Sequence, residues 1–258
     1  MTIKTSFRTR KSTLYDKSSS EPFKISRSKF FNFLSCKRCF YLDRVIGLKE
    51  ISSPPYTLNN TVDELLKKEF DYYRKKKTPH PIMLKNKLNF IPYDNESLDV
   101  WRNSLTGGIA FHHEKTNLII HGGIDDIWFD LDSKKLVVVD YKAQSSSNSV
   151  LASTYLKSEW RLSYKIQMDV YVFILRKMKF EVSDTTYFYV CNAEKKRSKF
   201  DNKIDFEVSL IPYKVDTNWI DEKIVEMKKI LNQKEIPDIN IECEKCAYLK
   251  GGSNFFKL

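Results

Sequence analysis

The chain has 258 residues, enough for one large domain, and 41% of them are hydrophobic, so a substantial core can form. No apolar run approaches the roughly 18 residues that a membrane-spanning helix requires, and we therefore expect no membrane association. The 44 basic and 33 acidic residues give a formal net charge of +11, which favours anionic partners, with nucleic acid first. Five cysteines do not make a secreted disulfide scaffold, and they predict a reducing, cytoplasmic setting with metal or cluster ligation.

The first predicted elements are a tail and a short helix. Residues 1–22 have the composition of a flexible basic tail, and residues 23–258 are predicted to form a single domain. Ser26 or Ser28 can cap a helix. Three residues at i, i+3 and i+4 spacing would form its apolar face: Phe30, Phe33 and Leu34. A C-x-x-C pair follows directly, at Cys36 and Cys39.

Residues 60–74 have the pattern of an amphipathic helix. Asn60 is its predicted N-cap, and the acids of its first turn suit the helix dipole. Its predicted apolar face contains five residues: Val62, Leu65, Leu66, Phe70 and Tyr73. Residues 78–106 are predicted to be irregular, apart from one short helix around 98–103.

A β-hairpin is predicted over residues 122–142, after two further strands at 109–113 and 118–121. Its strands would pair near 125–130 and 135–140. Alternate strand residues share a face, so Asp140 and Lys142 project together while Tyr141 points the other way. Asp125 then lies at the same end of the hairpin as Asp140.

A long helix is predicted within residues 151–178, after a polar loop at 143–149. Tyr164, Gln167 and Tyr171 share one of its faces by their i, i+3 and i+7 spacing. Two strands and a last helix follow at 185–191, 204–211 and 216–231. Strands, then a long helix, then strands predict an α/β fold with a mixed sheet.

The charged groups of the hairpin have the chemistry of a phosphodiesterase site. Asp125 and Asp140 offer the carboxylate oxygens that a hard divalent cation prefers, and the Tyr141 carbonyl lies within reach of the same ion. Lys142 could stabilise negative charge on the phosphate. The residues alone leave a second interpretation open, in which these are ordinary charged residues at strand ends.

Four features in this order resemble the PD-(D/E)XK nuclease superfamily, and more closely its RecB-like branch. They are Ser26-Arg27-Ser28 leading to Cys36 and Phe40-Tyr41-Leu42, Gly122-x-x-Asp125, Asp140-Tyr141-Lys142 after fourteen intervening residues, and Gln167-x-x-x-Tyr171 on the helix. The resemblance implies a restriction-endonuclease-like core with a mixed central sheet flanked by helices. It also implies that Asp125 and Asp140 bind Mg²⁺ or Mn²⁺, that Lys142 is catalytic, and that Gln167 and Tyr171 hold the site and the DNA.

The function implied by the resemblance is divalent-metal-dependent hydrolysis of DNA, in repair, recombination or defence, with a helicase or repair protein as a further partner. The basic segments 74–77 and 195–199 are candidate phosphate contacts. The alternative is a catalytically inactive DNA-binding or cluster-bearing subunit of the same fold. Cleavage of RNA or of branched intermediates is a third option.

One position departs from the family pattern. RecB-like nucleases usually carry a metal-binding histidine on an early helix, and the matching helix here has Asp63 at the expected place, with Glu64 beside it. Asp63 could ligate a hard cation instead. It could equally be an acid favoured by the helix dipole.

Two C-x-x-C pairs, Cys36/Cys39 and Cys243/Cys246, suit tetrahedral coordination of Zn²⁺ or a 4Fe–4S cluster. Some RecB-like nucleases join their two ends with a 4Fe–4S cluster, but through one N-terminal and three C-terminal cysteines. The two-and-two division here leaves the type of centre open, and four free thiols remain the alternative. Cys191 lies in a predicted strand and is expected to be a core thiol.

Overall fold

The computed structural model describes residues 10–49 and 54–256. The first nine residues of the predicted tail lie outside these ranges. Strands occupy eight segments of the described chain: β1 (Phe23–Ser26), β2 (Phe90–Pro92), β3 (Ile109–His113), β4 (Leu118–Gly122), β5 (Asp126–Asp130), β6 (Leu136–Gln144), β7 (Thr185–Ala193) and β8 (Phe206–Lys214).

The α-helices of the described chain are α1 (Arg27–Ser35), α2 (Lys37–Tyr41), α3 (Thr57–Lys76), α4 (Pro81–Lys85), α5 (Leu98–Arg102), α6 (Ala152–Tyr155), α7 (Leu162–Lys177), α8 (Ile220–Asn232) and α9 (Glu244–Phe256). A π-helical turn, Leu42–Ile46, continues from α2. None of the described helices combines the length and the apolar character needed to cross a bilayer.

Contacts divide the chain into two compact units, and the larger comprises Pro55–Ala110 and Gly122–Thr217. Its sheet has the order β2-β5-β6-β7-β8. β6 and β7 run parallel, whereas the other neighbouring pairs are antiparallel. The predicted hairpin is present, since Asp126 pairs with Val139 and Phe129 with Leu136. The α/β fold with a mixed central sheet flanked by helices is thus confirmed.

Helices cover both faces of this sheet. Leu66 and Phe70 of α3 pack in one core cluster with Trp128, Val139 and Tyr141 of the hairpin. α7 supplies the other layer, and its residues from Ile166 to Leu175 are all buried. The continuous apolar run of β6 is explained by this burial on both faces.

The second unit comprises Met1–Pro54, Phe111–His121 and Asn218–Leu258. Of these residues, the structure describes 10–49, 54, 111–121 and 218–256. It contains most of a three-stranded sheet with the order β1-β4-β3, in which β1 and β4 are parallel. Phe30 of α1 stacks on Trp219 with ring centroids 5.9 Å apart. Tyr15, within the predicted tail, donates a hydrogen bond to Asn232 at 2.6 Å.

Several local predictions were wrong or incomplete. The amphipathic helix begins at Thr57, so Asn60 is not its cap, and Leu65 is 58% exposed because it lies off the buried face. The segment predicted to be irregular contributes the edge strand β2. The strands predicted at 109–113 and 118–121 exist but lie in the smaller sheet, where β4 pairs with β1 and β3 pairs with β4. The long helix predicted within 151–178, by contrast, is confirmed as α7 (Leu162–Lys177).

Ser26 caps α1 as predicted, because its hydroxyl accepts a hydrogen bond from the Lys29 amide. The short helix predicted at 98–103 is present as α5. Cys191 is buried in β7, and burial raises the pKa of its thiol to about 11. It is thus a core thiol, as predicted.

Candidate active site and cysteine cluster

The predicted acidic residues meet at one end of the hairpin. Asp125 precedes β5, and Asp140 and Lys142 belong to β6. The Tyr141 amide donates a hydrogen bond to Oδ2 of Asp125 at 2.8 Å, which ties the two strand ends together. The Lys142 ammonium forms an ion pair with Oδ2 of the fully buried Asp140. Alternation along β6 therefore places Asp140 and Lys142 together, and the bond from the Tyr141 amide adds Asp125 to them.

Helix α7 presents Gln167 and Tyr171 to these groups. Nε2 of Gln167 donates to Oδ1 of Asp140 at 2.7 Å and to the hydroxyl oxygen of Tyr171 at 3.1 Å. Nζ of Lys142 lies 4.5 Å from the centroid of the Tyr164 ring, a cation–π contact. The i, i+3 and i+7 face predicted for the helix is therefore the face that contacts the site.

Burial and like charge set the proton affinities of these groups. Burial, together with the negative charge of Asp140, raises the pKa of Asp125 to about 7. Burial alone would lower the pKa of Lys142, but the negative charges of Asp140 and Asp125 outweigh it and leave that pKa above its usual value. The lysine is thus cationic at neutral pH, while Asp125 is close to its titration point.

Asp63 of α3 lies within electrostatic reach of this group. Burial and the negative charge of Asp125 raise the pKa of Asp63 above its usual value, and Lys67 partly opposes the shift. Nζ of Lys67 lies 2.6 Å from Oδ2 of Asp63. Asp63, at the position where the resemblance leads us to expect a histidine, therefore interacts electrostatically with Asp125.

The site accommodates a hard cation by its donor set. Oδ2 of Asp140 is buried and, within the described residues, no donor reaches it with hydrogen-bond geometry, although the Lys142 ammonium lies beside it. A buried carboxylate oxygen with spare acceptor capacity, close to a second carboxylate, is the ligand set that Mg²⁺ or Mn²⁺ prefers.

Sequence reasoning missed a second charged cluster, which forms on the other side of the hairpin. Oδ1 of the buried Asp126 accepts a hydrogen bond from Nη2 of Arg102 at 2.8 Å and pairs with the guanidinium of Arg74. Both arginines also pair with Asp71. An acid at the start of an apolar strand, as Asp126 is at the start of β5, was the available signal. Arg74 is only 5% exposed, so the basic segment 74–77 does not offer it to a phosphate.

The two cysteine pairs form one cluster in the smaller unit. Sγ of Cys36 lies 3.6 Å from Sγ of Cys246, and Sγ of Cys39 lies 3.7 Å from Sγ of both Cys243 and Cys246. All four sulfur atoms lie within 4.8 Å of one another. Four convergent thiols, of which only that of Cys243 is partly exposed, could hold a metal ion or cluster.

The cysteine thiols differ in proton affinity. Burial raises the pKa of Cys36 and of Cys39. Burial acts in the same direction on Cys243, but hydrogen bonds from the Cys246 backbone, the neighbouring thiols and the Lys245 backbone outweigh it and lower its pKa. Cys243 therefore forms a thiolate, the form that binds a cation, more readily than Cys36 or Cys39 does.

Comparison with known families agrees with this geometry. The sequence profile of the PD-(D/E)XK nuclease superfamily matches residues 57–250, most of the chain and all of the acidic site. A search of curated proteins finds no significant match. The fold, the matched length and the order of Asp125, Asp140 and Lys142 lead to one conclusion: the chain belongs to the PD-(D/E)XK nuclease superfamily.

Proposed function

We propose that the protein is a divalent-metal-dependent deoxyribonuclease whose active site contains Asp125, Asp140 and Lys142. The observation that carries the proposal is the contact of the Lys142 ammonium with Asp140, beside an Asp125 carboxylate held by the Tyr141 amide. Mg²⁺ or Mn²⁺ bound by Asp125 and Asp140, with Asp63 and the Tyr141 carbonyl as further ligands, would supply Lewis-acid chemistry toward a phosphodiester.

Each polar residue has a role that follows from its contacts. Lys142 holds a positive charge where a phosphate oxygen would gain negative charge during attack by water. Gln167 holds Oδ1 of Asp140 and so leaves Oδ2 directed at the site, while Tyr171 keeps the Gln167 amide in place. Two such orienting bonds reduce the rearrangement that the site must undergo during the reaction.

We favour DNA in repair, recombination or defence as the setting, and a helicase or repair protein as partner. The net charge of +11 supports a polyanionic substrate. The face of α7 with Gln167 and Tyr171 supports placement in the RecB-like branch. Cysteines placed for metal ligation favour the cytoplasm, where thiols are kept reduced.

The test is hydrolysis of linear, circular and single-stranded DNA, and of RNA, with Mg²⁺ or Mn²⁺. Asp140→Asn and Lys142→Ala should each reduce cleavage by at least about 100-fold, as loss of a group that stabilises a transition state does. Asp132→Asn is the matched control, because this exposed carboxylate lies at the opposite end of the same hairpin. Equal activity in all variants would disprove the assigned roles, and preferential RNA cleavage would change the substrate.

The second candidate is a DNA-binding module without catalysis, and the replacement of the family histidine by Asp63 favours it. Calorimetry separates the two functions. A nuclease binds Mn²⁺ in wild type but not in the Asp125→Ala variant, whereas an inactive module binds DNA without binding Mn²⁺ at this site.

We further propose that Cys36, Cys39, Cys243 and Cys246 hold one structural metal centre within their unit. Their separations favour a single ion, because tetrahedral Zn²⁺ with bonds of about 2.3 Å places its sulfurs roughly 3.8 Å apart. Three of the six separations are 3.6 or 3.7 Å, and all four sulfur atoms lie within 4.8 Å of one another. A 4Fe–4S cluster must fit its irons and sulfides between the thiolates and holds them further apart.

Metal analysis of anaerobically purified protein tests this centre. We expect about one Zn²⁺ per chain, lost in Cys36→Ser and retained in Cys191→Ala, whose thiol lies in the core of the other unit. If the wild-type protein contains iron and sulfide instead of Zn²⁺, the single ion is disproved and the centre is an iron–sulfur cluster. Neither metal in stoichiometric amount would disprove the centre.

A further inference from the structure

The charged cluster around Asp126 is more elaborate than packing requires. Two arginines, Arg74 and Arg102, and two carboxylates, Asp71 and Asp126, balance one another in charge. Asp126 is fully buried, and the side chains of both arginines are less than a tenth exposed. Nε of Arg74 also donates to the Tyr93 carbonyl at 2.6 Å, so the cluster binds backbone as well as side chains.

The cluster is connected to the proposed active site at two points. Nε of Arg102 donates to the backbone carbonyl of Asp125 at 3.1 Å. The Tyr141 hydroxyl donates to Oδ2 of Asp126 at 2.8 Å, while the amide of the same residue donates to Oδ2 of Asp125, also at 2.8 Å. Tyr141 is thus bound on one side to the cluster and on the other to the acidic site.

Stability alone does not explain such an arrangement. Burial of charged groups has a large desolvation cost, and replacing buried ion pairs by apolar residues is often neutral or stabilising. What a fully bonded polar network does provide is a single defined geometry for the groups attached to it. Here the attached groups are the carbonyl of Asp125, a residue of the acidic site, and the hydroxyl of Tyr141, which lies between Asp140 and Lys142 in sequence.

We propose that Asp126, Arg102 and Tyr141 are positioning residues that set the place of the Asp125 carboxylate for cation binding. The inference rests on the proposed nuclease site and concerns a layer of residues outside it. Arg102 holds the backbone of Asp125, and Asp126 holds the ring of Tyr141, whose amide then orients Oδ2 of Asp125. None of the three side chains needs to touch the cation or the substrate.

The decisive variant is Tyr141→Phe, because it removes the bond to Asp126 and keeps the backbone amide. Its matched control is Tyr189→Phe, a buried tyrosine in the same core cluster that lies opposite Tyr141 in the β6–β7 register. We expect calorimetry to show Mn²⁺ affinity about 10-fold to 100-fold weaker for Tyr141→Phe, the usual effect of losing an outer-shell partner. Tyr189→Phe should bind like wild type.

A double-mutant cycle separates positioning from general destabilisation. Asp126→Asn should weaken Mn²⁺ binding at least as much as Tyr141→Phe does, because Asp126 also pairs with Arg102. The double variant should be no weaker than Asp126→Asn alone, since the effect of the Tyr141 hydroxyl passes through its bond to Asp126. Half-maximal cleavage should need more Mn²⁺ in Tyr141→Phe while the KM for DNA stays unchanged. Thermal melting identifies any variant that fails to fold, and Tyr141→Phe, the smallest change, then decides alone.

Two negative results have different meanings. If wild type binds Mn²⁺ and cleaves DNA, but Tyr141→Phe matches Tyr189→Phe in Mn²⁺ affinity, the positioning role is overturned and the nuclease function stands. If wild type neither binds Mn²⁺ nor cleaves nucleic acid, the proposed function fails and this inference fails with it.

Discussion

The Tyr141 amide and the Asp125 carboxylate, 2.8 Å apart, join the second strand of the hairpin to the residue that precedes the first. The bond lies between Asp140 and Lys142 in sequence, so it fixes Asp125 beside both. A backbone amide cannot move without moving its strand, and β6 is paired on both sides. The acidic site therefore takes its geometry from the sheet.

The pKa of Asp125 predicts a dependence of stability on pH. Because burial and Asp140 raise this pKa from 3.8 to about 7, the folded protein retains a proton in that range which the unfolded chain has lost. Without divalent cation, this group therefore reduces stability as pH rises from about 4 to 7, and the full loss is present above 7.

Asp125→Asn removes this loss. Without added Mg²⁺ or Mn²⁺, we expect the variant to exceed wild type in free energy of unfolding at pH 8 by a few kcal/mol at most, since a tenfold change in proton affinity is worth about 1.4 kcal/mol. The difference should shrink toward pH 4. Denaturant unfolding at several pH values measures it, and a difference independent of pH would contradict the assignment.

Gln167 should matter more for cleavage than for folding. Gln167→Leu removes the donor to Oδ1 of Asp140, and we expect cleavage to fall about 10-fold to 100-fold, as for other orienting partners of metal ligands. Met168→Leu, a volume-conserving change at the next buried position of α7, is the control and should retain full activity. Initial rates at saturating Mn²⁺ measure both, and equal rates would exclude an orienting role.

Asp63 can be tested as a replacement for the family histidine. If it is a ligand, Asp63→Asn should weaken Mn²⁺ binding by at least about tenfold, and Asp63→His should restore it, because imidazole is also a good ligand for Mn²⁺. Glu64→Gln, at the exposed next position, should leave binding unchanged. If all three variants bind Mn²⁺ like wild type, Asp63 is an ordinary helix acid.

Gly123 is required for a close backbone approach. A Cβ at this position would lie 2.8 Å from Cα of Ser104, so Gly123→Ala must displace backbone two residues before Asp125. We expect a loss of about 1–3 kcal/mol in unfolding free energy. Gly251→Ala is the control, because a Cβ there meets no atom within 4 Å, and helix α9 should gain about 0.5–1 kcal/mol. Thermal melts that rank the two variants in the opposite order would contradict this account.

Local periodicity explains why much of the site could be predicted. Alternation along β6 places Asp140 and Lys142 on one face, and helical spacing along α7 places Gln167 and Tyr171 on another. The C-x-x-C spacing likewise identified both halves of the cysteine cluster. Each of these is a relationship between residues a few positions apart, which backbone geometry determines before any tertiary contact forms.

Long-range pairing could not be predicted in the same way. The strands at 109–113 and 118–121 look like neighbours of the hairpin in sequence, yet they join β1 in another sheet. Nothing in strand periodicity selects a partner, because any strand with an apolar face can pair with several others. The start of α3 at Thr57 and the exposure of Leu65 depend in the same way on which neighbours pack against the helix.

By itself, the sequence determined which residues are candidates for the chemistry: two acids, a lysine, a glutamine and two cysteine pairs at spacings that regular structure converts into shared faces. The tertiary structure alone decided that Asp126 pairs with Arg74, 52 positions away, and that Cys36 meets Cys246 across 210 positions. The reason is physical: a buried charge requires a partner of opposite charge, and two distant cysteine pairs can share one centre only where the packed chain brings them together. Topology decides both.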